Sequence, residues 1–381
     1  MVNKNFFATI NGLVSQATNG TAPEVVDYNS FIEAGKTITS LQGSDFQNNF
    51  IGALMNKIAL SINTARSYTG KYGSLTRGSL QFGDTIEMIM NGFYEAQAAA
   101  FVDLPNDGSS VDMYEVKKPT AFVDYYVDSN AYQICVTIQT SQLEKAFESP
   151  SAMDAFTRGI ITYLMNSNEL KREAGRIALV ANLIVKLSTQ SAAATPDSPA
   201  MRYPLVTLYN DITGAELTAE NCLFNEEFVK FAAQTIKKVM GKTSNVSESY
   251  NIKGIKTFTP AENRHLFVSS QLTAALETYI YTNNYNPQYS MLTNYIEVPY
   301  FQNEDTPLVV KYKSAEGEDE LTSAPVIAVM CDEYAIGEYL RKQSTYTTPF
   351  NAKGEYWNTY LNVELKLVSN EYANSVLFTL E

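Results

Sequence analysis

The sequence predicts an α+β fold, on three observations. Helical and strand-like stretches are mixed without the strand–helix–strand rhythm of a doubly wound sheet. One apolar register of helical period, with only Ser167 polar on the stripe, follows Ser149 and extends to about Leu187. A β-rich excursion extends from Gly83 to Ile138 around a turn-rich tip, Pro105–Ser110. The chain has 381 residues, and at about 150 residues per domain that length suggests two or three domains. The 45% hydrophobic content argues against disorder. No stretch approaches the ~18 consecutive apolar residues of a membrane helix.

Taken in chain order, residues 1–75 read as a helical and irregular arm. Phe6, Ile10, Leu13 and Ala17 recur at helical spacing, and a second pattern runs from Phe46 to Ala65 behind the N-cap candidates Ser44 and Asp45. Two such helices bury themselves poorly on each other and should pack on the rest of the chain or on a neighbour. From Gly83 the texture becomes strand-like. Asp84–Met90 alternates polar and apolar, and Tyr125–Ile138 forms a second β-rich run. A long two-stranded excursion is marginal in isolation, so its stability should come from outside contacts.

Ser149 and Pro150 then open the long helix, Pro at the first helical position where its missing N–H costs nothing. The stripe is Met153, Phe156, Ile160, Tyr163, Leu170, Ala174, Ile177, Ala181 and Ile184, on a helix of the order of 55 Å at 1.5 Å per residue. Gly159, Gly175, Ala174 and Ala181 suit close packing across a sheet better than a coiled coil. Residues 188–225 read as loops with short strands. A second globular unit follows. It has a helix from Asn225 to Met240, a strand at Arg264–Val268, a helix at Ser270–Tyr279, strands at Ile296–Tyr300, Leu308–Tyr312 and Val326–Cys331, a helix at Asp332–Leu340, and closing strands at Tyr356–Val368 and Ser375–Leu380.

Charge narrows the function. There are 28 basic and 41 acidic residues, a net charge of -13, which argues against ordinary nucleic-acid binding. Basic residues come at most in pairs such as Lys237-Lys238, and these read as solvated charges. Charged residues make up only 18%, against about 25% in typical globular chains, so much of the surface carries neutral polar groups or is covered. Cys135, Cys222 and Cys331 are odd in number and far apart, which fits free thiols in a reducing compartment. The amino-terminal apolar residues are broken by Asn3, Asn5 and Asn11, unlike a secretion signal.

Residues that usually carry catalysis are scarce. His265, the single histidine, lies in an apolar strand-like segment and reads as structural. Gly241-Lys-Thr243 resembles the end of a phosphate loop, but Ile236 stands where that loop needs glycine. The acidic run Glu316–Glu320 lacks the order of a calcium loop and reads as a solvated hairpin tip. No residue set suggests a catalytic, cofactor or metal site. Tyrosine stands out instead: Tyr279–Tyr295 carries five among neutral polar residues, a composition suited to a protein interface, an ordered surface loop or a sugar-binding patch.

The order of parts resembles the major capsid proteins of tailed bacteriophages. The resemblance rests on the helical arm, on the excursion opening with Gly83-Asp-Thr-Ile-Glu87, and on the return strand running into Thr137–Phe147. The very long helix, then Val326–Gly337 and Phe350–Trp357, complete it. It implies the shell fold named after phage HK-ninety-seven, with residues 1–75 as the N-terminal arm and 76–139 as the extended β-hairpin or E-loop. A peripheral domain at 140–225 would contain the spine helix (149–187), an axial domain would occupy 226–330, and 331–381 would return to the peripheral domain. It further implies homopentamers and homohexamers forming an icosahedral shell around double-stranded DNA that is not specifically bound. Scaffolding, portal and decoration proteins would be partners, and no cofactor or membrane would be involved. Expected subunit-interface residues are Phe6, Ile10, Ile86, Pro105, Tyr126, Tyr281, Tyr285, Tyr289 and Tyr295. The rival readings are an encapsulin-type compartment shell, a cytosolic enzyme acting through carboxylates, and a tyrosine-rich adhesin or carbohydrate-binding module.

Overall fold

The computed structural model describes residues 28–40, 70–80, 85–93, 120–148, 150–281, 294–301, 309–314, 317–322 and 325–381, with isolated positions between them. In chain order these form α1 (Tyr28–Ser40), β1 (Thr76–Ser79), β2 (Ile86–Asn91), β3 (Ala121–Tyr126), β4 (Asn130–Gln139), α2 (Thr140–Ala146), α3 (Pro150–Gln190), β5 (Arg202–Pro204), α4 (Leu205–Thr213) and α5 (Glu226–Lys242). They continue with β6 (Arg264–Ser269), α6 (Ser270–Leu276), β7 (Tyr295–Val298), β8 (Val309–Ser314), β9 (Gly317–Thr322), β10 (Val326–Asp332), β11 (Ile336–Thr347), β12 (Tyr356–Ser369) and β13 (Ser375–Thr379).

Two sheets organise the chain, in the orders β1-β11-β12-β4 and β5-β13-β10-β6-β7. The alternation along β12 turns Trp357, Leu361, Val363 and Leu365 to one face, against Met153, Ile160 and Leu164 of α3. In the second sheet the run Val326–Asp332 is buried throughout, as a strand covered on both faces must be. Ile327, Ala328 and Met330 pack with α4, α5 and α6, while Val329 and Cys331 pack with Val180, Leu183 and Ile184 of α3. The long helix therefore serves both sheets, its first half on one and its second half on the other. At 41 residues it measures about 60 Å. A Cβ on Gly175 would meet Leu367 at 3.6 Å, an ordinary contact, and one on Gly159 would meet open space, so neither glycine is what lets the helix approach the sheet.

Local signals place several elements. Asn225 caps α5 by accepting from the Phe228 N–H at 3.1 Å. Ser269 caps α6, and Gly214 ends α4 in the left-handed region that glycine tolerates.

The structure departs from the sequence reading in five places. Asp332–Leu340 is a turn followed by a strand, not a helix: the Asp332 carboxylate accepts from the Tyr334 N–H at 2.8 Å and its carbonyl from Ala335 at 3.0 Å, closing a turn that feeds β11 into a long antiparallel pairing with β12. Residues 28–40, between the two expected arm helices, form a helix of their own, α1, whose Phe31 and Ala34 are buried beside Phe147. Leu205–Thr213 is helical. Residues from Ala194 to Cys222 contribute to the core of the second sheet, and β13 lies inside that sheet, so neither stretch groups with the peripheral unit as the boundaries 140–225 and 331–381 supposed. Finally, the stripe on α3 is broken: Tyr163 (52%) and Leu170 (66%) are exposed, and the middle of the inward face is polar. The expected helix at 46–65 and the cap at Ser149 lie outside the described residues.

Candidate functional site

The β excursion leaves the body as the antiparallel pair β2–β3, in register Ile86↔Tyr126, Met88↔Asp124 and Met90↔Phe122. Period-2 alternation gives the pair two faces. The first turns toward the body: the Tyr126 hydroxyl donates to the Ser369 carbonyl at 2.9 Å, and Phe122 stacks on Tyr372 at 5.2 Å. Burial, and then the charge of Asp124, raises the Tyr126 pKa well above that of a free phenol. The second face carries the exposed Ile89, Val123 and Tyr125. Ile86 and Tyr126, expected at a subunit interface, thus lie on the body-facing side, and the outward apolar groups are their neighbours. Asn106 and Asp107 form an exposed turn at the expected tip.

The root of this hairpin is held by a cluster of buried charges missing from the sequence reading. Glu338 on β11 is fully buried. It accepts from Arg176 Nε at 2.6 Å and from Arg172 Nε. Arg176 also donates to Glu169 at 2.7 Å and to Glu173 at 3.3 Å. The strap leading to β1 binds the same carboxylates through its backbone: Gly70 N–H to Glu169 at 3.4 Å and Tyr72 N–H to Glu173 at 3.2 Å. Tyr132 sits over the cluster, its hydroxyl donating to Asn168 at 2.6 Å, and burial pushes its pKa up to about 12.

Farther along, Arg77 pairs with Glu333 at 3.4 Å and lies 3.2 Å from His265 Nε2. Burial, then the neighbouring Arg77 charge, lowers the His265 pKa, and because a guanidinium can only donate, His265 Nε2 is the acceptor of this bond.

The other sequence candidates fall as follows. Tyr295 begins β7 half-buried against the second core, and Tyr281 closes a helical turn after α6. Phe6, Ile10, Pro105, Tyr285 and Tyr289 lie outside the described residues. Gly241-Lys-Thr243 ends α5, with Thr243 buried as its C-cap. The acidic run extends into β9, whose register sets Glu320 opposite Lys311 and Glu318 opposite Lys313. An apolar groove of about 730 Å³ on the second unit is lined by Leu223, Phe224, Ala274, Ala275, Tyr279 and Leu380. Among the described residues no helix is long and apolar enough to cross a membrane, and no group of three or more His, Cys, Asp or Glu side chains is gathered for a metal ion. The geometry offers surfaces and a braced extension.

Comparison with known proteins gives these features a context. The profile of the Phi29-like phage major capsid proteins matches residues 10–379. The major capsid protein of Bacillus phage B103 is 24% identical over 374 residues, covering 97% of this chain and 72% of that protein. For the major capsid protein of Bacillus phage PZA the figures are 24% over 340 residues, 87% and 63%. Among solved structures, the capsid of Staphylococcus phage Andhra aligns with a TM-score of 0.56 at 9% identity, over 83% of this chain and 86% of that one. A chain from the head fibre and inner core protein structure of bacteriophage P68 aligns at 0.51 and 10%, over 82% and 85%. At these identities the two structural likenesses establish the fold.

Proposed function

Because the chain belongs to the family of Phi29-like phage major capsid proteins, we propose that its copies assemble as pentamers and hexamers into an icosahedral shell enclosing double-stranded DNA. The chain is a major capsid protein of a tailed phage, a structural component of the virion that forms a shell of itself, and not an enzyme. The observation that carries the finer reading is the β2–β3 hairpin, which presents Ile89, Val123 and Tyr125 to solvent although single chains rarely leave such a row uncovered. A neighbouring copy would supply the cover. In this reading residues 1–75 are the arm, 76–139 the E-loop and α3 the spine. Scaffolding and portal proteins assist assembly, and a decoration protein binds outside. The net charge of -13 would leave an inner wall that does not attract phosphates, so that DNA slides during packaging.

Electron microscopy of the purified full chain tests the reading. Closed shells or capsomer lattices are expected, and a monodisperse small particle at high concentration would overturn it. Deleting residues 105–110 should block assembly while the subunit stays folded. Truncating residues 1–40 should block it too but also takes Phe31 and Ala34 out of the core, so truncating residues 1–27, which spares α1, is the variant expected to stay folded. Truncated chains closing into normal shells would refute the roles given to these extensions.

A further inference from the structure

We infer that Glu169 and Glu173 are positioning residues for assembly: their carboxylates fix the strap from Gly70 to Arg77, and with it the direction in which the hairpin leaves the body. The assembly part rests on the capsid reading above; the strap part stands on geometry alone.

The cluster holds three carboxylates, Glu169, Glu173 and Glu338, against two guanidiniums, Arg172 and Arg176. Both arginines converge on Glu338, and Arg176 also reaches Glu169 and Glu173, so the five groups together carry one net negative charge, on the side where Glu169 and Glu173 meet the strap. That charge faces the strap, which answers with backbone N–H groups, those of Gly70 and Tyr72. Amides are sufficient for a partial deficit, because a carboxylate accepts charge-assisted hydrogen bonds from them. The fit is close at both ends. A Cβ on Gly70 would stand 1.9 Å from Glu173 Oε2, and one on Gly337 would stand 2.9 Å from Arg77 Cγ. Beyond the strap, Thr76 pairs with Glu338 itself as β1 joins β11, so the buried acid and the hairpin root share one register.

The test uses the full chain and two variants. Glu173→Gln keeps the shape and removes the charge; Gly70→Ala keeps every charge and displaces the strap. In unassembled subunits, hydrogen exchange at the Gly70 and Tyr72 amides should accelerate about ten- to a hundredfold in both variants, the range expected for loss of charge-assisted bonds, while β12 amides keep their protection. Shell yield should fall, or shell diameter scatter, by electron microscopy. Glu226→Gln, in an exposed ion pair of α5, should change neither. Wild-type exchange at Gly70 and Tyr72 in Glu173→Gln would overturn the inference, as would an opened strap with shells of unchanged yield and diameter. Should β12 protection be lost in Glu173→Gln, Gly70→Ala alone decides. A wild-type chain that forms no shells would contradict the capsid reading, and the exchange measurement would still decide whether the strap is held.

Discussion

Arg176 is the most demanding test of the buried cluster. It is 1% exposed and bonded to Glu169, Glu173 and Glu338. Burial works to lower its pKa, but hydrogen bonds and charge from Glu169 and Glu338 outweigh burial and raise it, so it remains a cation. Arg176→Met keeps most of the side-chain length and leaves the buried Glu173 and Glu338 and the partly buried Glu169 with Arg172 alone. Removing one partner of a buried ion pair costs about 3–5 kcal/mol, because the other stays desolvated and uncompensated. With an unfolding entropy of roughly 2.1 cal/mol/K per residue, cooperative unfolding of 381 residues would then shift down by about 5 °C.

The decisive comparison is Arg176→Met combined with Glu338→Leu. This pair of changes leaves the cluster's net charge where it began and fills the space with apolar groups, a substitution that is often neutral or stabilising. Thermal unfolding of unassembled subunits should place the double variant well above the single one. Lys230→Met, from an exposed pair on α5, should cost under about 1 kcal/mol. Unfolding of Arg176→Met within about 1 °C of wild type, or a double variant no more stable than the single, would refute this role for the buried cluster.

Three further outcomes follow from packing and titration. Gly35→Ala would put a Cβ 2.6 Å from Phe147 Cβ, so α1 must shift, at a cost of about 1–3 kcal/mol in chemical denaturation; an unchanged midpoint would mean that α1 is not docked as described. Burial pushes the Cys222 thiol up to about 11 and Cys331 to about 12, whereas Cys135 is exposed. A maleimide at pH 8 should therefore label Cys135 alone in the native chain and all three cysteines in denaturant. Burial raises the Asp332 pKa above its ordinary value, so the folded chain holds that proton more tightly than the unfolded one. Its stability contribution is full below the unfolded pKa and is lost as pH rises through the folded one. Asp332→Asn should flatten that fall in denaturation midpoints between pH 4 and pH 8, and an unaltered slope would refute the assignment.

Elements whose identity follows from local rules were legible in the sequence. The strands at Val326–Cys331 and Tyr356–Val368 and the helix from Asn225 each state their structure within a few residues. Asp332–Leu340 was misread because its apolar spacing suits a helix, while the deciding contacts, an aspartate-closed turn and pairing with β12, come from the side chain's local geometry and a partner far along the chain. The buried cluster escaped for a related reason. Glu169, Arg172, Glu173 and Arg176 are spaced like a solvated, salt-bridged helix face, and nothing local reveals that Glu338 waits beneath them. The available signal was indirect: the apolar stripe skips from Tyr163 to Leu170, where the structure turns both outward. Likewise Ile86 and Tyr126 were good candidates for buried contacts, but only the strand register shows that those contacts are with the chain's own body.

The low charge content acquires a location in the structure. Five charged side chains, three carboxylates and two guanidiniums, are gathered where α3 meets β11 and pair with one another instead of solvating the surface. The outward face of the first sheet carries neutral pairs, Gln133 bonded to Asn362 at 2.5 Å and Thr137 bonded to Asn358 at 2.8 Å, with Ser344 and Tyr346 alongside, and its charges are confined to Lys342, Arg341 and Glu364 at one end, where Arg341 and Glu364 pair. Paired amides and hydroxyls of this kind stay hydrated without attracting counterions, so contacts made through them are insensitive to ionic screening. A shell joined through such faces and through the apolar row Ile89, Val123 and Tyr125 should keep its integrity across salt concentrations that dissolve charge-paired assemblies. Dissociation of assembled shells on raising salt alone would place the decisive contacts among the charged residues instead.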